Sequence, residues 1–76
     1  MRLRKLAKDS NSGMNGCHTV YAPEADSGTL VIQADQVDEA TLASLENLLQ
    51  GETAVRIKRA VVENALRKLH EEDGVS

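Results

Sequence analysis

The sequence has no tryptophan and no phenylalanine, and Tyr21 is its single aromatic residue. Any core must therefore be assembled from leucine, valine, isoleucine and alanine, without the large area an aromatic ring removes from water. Cys17 is the only cysteine, which excludes an intrachain disulfide and fits a reducing cytoplasm. The same scarcity argues against a metal or thiolate centre. A structural zinc ion needs four ligands, and beyond Cys17 and His18 the only other histidine is His70, far along the chain. No long apolar run follows the charged start at Arg2, Arg4 and Lys5, so neither a signal peptide nor a membrane span is expected. No glycine-rich phosphate loop is present either, because Gly13 and Gly16 precede a strand instead of opening a helix.

What is present is short and unevenly charged. Seventy-six residues make one domain, only marginally stable alone, so a homodimer that covers leftover apolar surface is an attractive expectation. The net charge is −3, yet Arg2, Arg4, Lys5 and Lys8 place four of the nine basic residues in the first eight positions. An acidic body thus follows a basic tail. Residues 1–15 read as a mobile basic and polar tail, with Met14 a candidate translation start, residues 16–72 as the domain, and residues 73–76 as a frayed end.

Within the domain the hydrophobic period changes three times. Residues 17–22 alternate as a strand, with His18, Val20 and Ala22 on one face and Cys17, Thr19 and Tyr21 on the other. The turn formers from Pro23 to Gly28 predict an antiparallel hairpin with residues 29–34, where Leu30, Ile32 and Ala34 share a face; that second strand reads as central. Asp38 reads as an N-cap and Glu39 suits the positive end of a helix, with Val37 packing on Leu42. Leu42, Leu45, Leu48 and Leu49 then form a stripe at helical spacing that predicts a core-facing helix over 38–50, ended by Gly51. Thr53, Val55 and Ile57 predict a third strand of the same sheet. Val61, Val62, Ala65, Leu66 and Leu69 predict a second helix over 59–71, with Glu63 and Arg67 paired and the acidic last turn at Glu71, Glu72 and Asp73 fraying.

The expected fold is therefore α+β in the order β-β-α-β-α: a three-stranded, mainly antiparallel sheet covered on one face by two helices. Its other face, including Val20 and Val31, would be left for a homodimer or a partner.

No residues converge as catalysis requires. Cys17 beside His18 lacks a visible orienting acid, and in the acidic group Asp35, Asp38 and Glu39 capping and the helix dipole account for all but Asp35. A small enzyme would need a pocket converging on Cys17 or Asp35. The expectation is a chain that is not an enzyme and uses no cofactor or metal. Arg56, Lys58 and Arg59 are the charges that local structure does not explain, since cations at a helix N-terminus oppose its dipole. With Arg2, Arg4, Lys5 and Lys8 they are the candidate contacts to an acidic partner or nucleic acid; the bland alternative pairs them with the chain's own acids, such as Glu24, Asp26, Asp35 or Glu52.

Gly16-Cys17-His18-Thr19-Val20-Tyr21, Gly28-Thr29-Leu30-Val31-Ile32-Gln33 and Gly51-Glu52-Thr53-Ala54-Val55-Arg56-Ile57, the last followed by a helix, stand out as short motifs. Together they resemble a family of small uncharacterised actinobacterial proteins. The resemblance covers residues 16 to about 66 and rests on short motifs. It departs where His18 and Lys58 stand in place of common prolines. Such proteins are often encoded near helix-turn-helix regulators, so the resemblance implies a regulatory protein partner and carries no catalytic residues. The functional expectation is a non-enzymatic, cytoplasmic protein-interaction module in transcriptional regulation. The alternative is a dimeric DNA-binding regulator using the basic strand-helix junction and the N-terminal arm, since a strand running into a basic helix also resembles swapped-hairpin transition-state regulators.

Overall fold

Leu6, Val20, Val61 and Ala65 make up the apolar core, and the elements that carry them define the fold. In the computed structural model residues 2–9 and 17–73 are described; the expectations for residues 10–16, including Met14, and for 74–76 lie outside them. The elements run β1 (Leu3–Lys8), β2 (Thr19–Pro23), β3 (Val31–Gln33), β4 (Asp35–Gln36), α1 (Glu39–Ala43), β5 (Val55–Arg56) and α2 (Arg59–Asp73). The architecture is α+β, with a three-stranded antiparallel sheet ordered β1-β2-β3 and a separate two-stranded sheet of β4 and β5.

The central strand is β2, not the second strand of the hairpin, because β1 takes the other edge of β2. Residues 3–8 are thus a structural strand, which corrects the expectation of a mobile tail. The ladder runs from Leu3 opposite Pro23 to Lys8 opposite Thr19, and continues in the 2.8 Å bond from the Asp9 N–H to the His18 carbonyl. Between Lys5 and Ala7 the register shifts by one residue, so Leu6 and Ala7 both fall beside Val20. Such a bulge turns two successive side chains toward one face. Leu6 enters the core and Ala7 packs against it.

On β3, Ile32 faces Val20 and Val31 faces Tyr21. Val20, 1% exposed, lies in the core instead of on an uncovered face. Val31 stays 37% exposed on the far side, near Tyr21, whose hydroxyl donates to Gln33 Oε1 at 3.0 Å.

Among the described residues one helix, α2, packs on the sheet, over β1 and β2. α2 packs mainly on β1 and less on β2, burying Val61 and Ala65, with Ile57 and Leu69 packed beside them. Its span matches the apolar spacing, but its charges pair differently: Arg59 reaches Glu63 at 3.5 Å, while Arg67 donates to Asn64. The acidic last turn is helical through Asp73, its Glu72 bound by Arg4 from β1.

Residues 34–57 form a limb held at its base by the pairing of Asp35 with Arg56 and Gln36 with Val55. The strand expected to join the main sheet, β5, pairs here with β4 instead, and the third strand of the main sheet is β1. Asp38 does cap α1, accepting the Thr41 N–H at 2.8 Å, and Glu39 occupies the first turn. The helix stops at Ala43, however, and Ser44 bonds back to the Ala40 carbonyl. Asn47 then takes a positive φ of 55°, a conformation that asparagine tolerates better than most residues and that a continuing helix does not contain. Gly51 also has positive φ, but in the turn closed by the Glu52 N–H on the Leu49 carbonyl. The leucine stripe therefore leaves the helix, and α1 buries no residue.

Candidate functional site

Four elements meet at one end of the sheet, where the sequence placed its Cys17-His18 pair and its unexplained cations. His18 precedes β2 on the face that carries Val20, and its side chain is only 14% exposed. Its Nδ1 accepts the backbone N–H of Lys58 at 2.9 Å, just ahead of α2. An imidazole that accepts at Nδ1 carries its hydrogen on Nε2, and that nitrogen lies 3.1 Å from Asp35 Oδ2 on β4. The Lys58 ammonium turns the other way and meets the buried Asp9 carboxylate at 2.6 Å, tying α2 to the end of β1.

This junction is a strut. A general base needs a ring nitrogen facing the proton it removes; both nitrogens of His18 are committed to groups of the protein itself. Among the described residues no three His, Cys, Asp or Glu side chains come together as metal ligands. Asp35, which lacked a structural duty in the sequence, acquires one by holding His18. Lys58 pairs with Asp9, an acid not among those proposed for it.

The remaining candidate cations are scattered. Arg4 binds Glu72 at the far end of α2, roughly 20 Å from Lys58 by the rise of the helix. Lys5 and Lys8 stand on the sheet face away from α2, opposite Tyr21 and Thr19. The Lys5 carbonyl accepts from Lys68 Nζ at 3.3 Å. Arg2 is exposed, its carbonyl bonded to the Glu24 N–H; Arg56 is exposed opposite Asp35, and Arg59 leans on Glu63. The structure brings together Lys58, His18, Asp35 and Asp9, and gathers no common basic face from the seven cations.

The feature that sequence reasoning missed is apolar. No residue from 24 to 60 is buried. Leu45 and Leu48 are about 40% exposed, Leu49 is 65% exposed, and Val55 at the base of the limb is 38% exposed. Leu30 and Ile32 on the hairpin and Leu66 on α2 are likewise exposed. The available signal was the pair Ser44 and Asn47, weak helix formers inside the stripe. No described helix is long and apolar enough to cross a membrane. Comparison of the chain with protein-family models, with curated proteins and with solved structures finds no match.

Proposed function

We propose that this chain is a non-enzymatic protein-interaction module in cytoplasmic regulation, which docks through the leucines of the limb. The observation that carries the reading is the exposure of Leu45, Leu48 and Leu49 on a segment that buries nothing against the chain's own sheet. Grouped apolar side chains in water mark surfaces that another protein covers. A regulatory protein is the partner, with a helix-turn-helix regulator the class implied by the actinobacterial resemblance. The committed nitrogens of His18 support a role without catalysis. DNA binding is the weaker alternative, because Arg4, Lys58 and Arg59 are engaged with Glu72, Asp9 and Glu63 instead of being ranged along a groove-sized face.

The test replaces Leu45, Leu48 and Leu49 together with serine. Thermal melts of the variant are expected to match the parent, while association, measured by light scattering alone and with a candidate helix-turn-helix regulator, falls away. If the variant unfolds, the leucines serve the core and the reading fails.

A further inference from the structure

At the end of the sheet opposite His18, an open cleft of about 700 Å³ lies between the last turns of α2 and the β2–β3 connection. Its apolar floor is Ala22, Leu30 and Leu69. The floor continues along both walls: Ile32 shares the sheet face of Leu30, and Leu66 lies three residues before Leu69 on the same flank of the helix. Both are more than 40% exposed, because α2 lies over β1 and β2 and leaves this face of β3 uncovered.

The rim is anionic. Glu24, Asp26, Glu72 and Asp73 surround the opening, against one guanidinium, Arg4, already bound to Glu72. Asp26 is fixed in place: Oδ1 accepts the Gly28 N–H and Oδ2 the Thr29 hydroxyl, each at 2.9 Å. Those bonds, the Gly28 amide foremost, hold the Asp26 carboxyl below its ordinary value.

An apolar trough with an acidic mouth selects by sign. The limb of a second copy is a poor occupant, since its leucines travel with Glu39, Glu46 and Glu52. We infer that the cleft receives a basic, aliphatic segment of a partner protein, with an aliphatic side chain against Leu30 and Leu69 and flanking Lys or Arg residues meeting Glu24, Asp26 and Asp73. The inference deepens the interaction-module reading and rests on it, adding a second contact surface and the chemistry of what fills it. Steering by the rim and burial along the floor would act together, the first falling with salt and the second not.

The experiment titrates the full-length, isotope-labelled chain with a synthetic amphipathic peptide in which leucines recur at helical spacing and every polar position is Lys or Arg. Two controls keep the leucines with Glu at the polar positions, or keep the cations with Ser for Leu. Saturable NMR shifts are expected at Ala22, Leu30 and Leu69 with the first peptide alone. Binding should weaken at least tenfold in the double variant Glu24→Lys, Asp73→Lys and in Leu30→Ser, all exposed positions whose change leaves the core intact. Equal binding of either control peptide overturns the inference, as does concentration-dependent self-association that perturbs the cleft without peptide. Shifts confined to Leu45, Leu48 and Leu49 overturn the cleft and leave docking through the limb standing. No saturable shift anywhere overturns the cleft, while the serine variant of the limb decides the broader reading separately.

Discussion

In the body of the molecule Leu6, Val20, Val61 and Ala65 close on one another, whereas from residue 24 to residue 60 no side chain is buried. The difference is not one of composition. The second region holds Leu30, Ile32, Leu42, Leu45, Leu48, Leu49 and Val55, a richer apolar set than the core itself. Burial needs a facing layer as well as apolar residues, and among the described residues only the β1–β2 pair has one, supplied by α2. The outline records the imbalance: a radius of gyration of 14.1 Å and extents of 44 × 30 × 22 Å, against about 11 Å expected for a single domain of this length.

The sharpest way to break this contrast is to remove residues 2–9, which carry β1, Leu6 and the acid that binds Lys58. The shortened chain is expected to lose its cooperative unfolding transition in circular dichroism altogether. An unchanged melt would place the core elsewhere. Next in size, Val20→Ala should cost roughly 1–3 kcal/mol in chemical denaturation, while Leu49→Ala, which deletes more apolar volume, should cost no more than about 0.5 kcal/mol. Equal losses would erase the distinction between the regions.

His18 joins the two regions, so its removal should act on both. His18→Ala leaves the Lys58 N–H without its acceptor and frees Asp35. The expected loss is about 1 kcal/mol, with faster exchange of the Lys58 amide. A variant as stable as the parent, with unchanged exchange, would show that the strut carries no load.

The smallest effect concerns acid. The Asp38 carboxyl is held below its usual value of 3.8, first by the Thr41 side chain and then by the Thr41 backbone N–H. A carboxyl depressed in the folded state contributes fully above that usual value, and its contribution is lost as the pH falls through the lower folded value. On acidification below 3.8 the helical NMR shifts of α1 should therefore weaken before those of β1, β2 and α2. Simultaneous loss everywhere would mean that α1 is no separate unit.

These contrasts were only partly legible in the sequence. α2, the β2–β3 hairpin and the Asp38 cap follow from short-range spacing, and all three are present. β1 was hidden by its bulge, which puts Leu3, Leu6 and Ala7 out of the alternation that identifies a strand, and by its cations, of which Arg4 meets a partner, Glu72, that is distant in sequence. The leucine stripe was legible as a pattern but not as a surface, because helical spacing says which residues share a face and nothing about whether another layer covers it. His18 drew notice only as the neighbour of Cys17, and its bracing role was not legible, since its two partners, Asp35 and Lys58, are brought to it only by the fold. The cleft beside Leu30 and Leu69 likewise depends on where α2 ends over the sheet.

Native-state hydrogen exchange, followed amide by amide on the dilute full-length chain, tests the division of the molecule most directly. The account predicts that amides of β2 and of α2 around Val61 and Ala65 exchange only through global unfolding, while those of α1 and β5 exchange through local opening at far lower free energy. Uniform protection across both regions at a concentration where the chain is monomeric would contradict it.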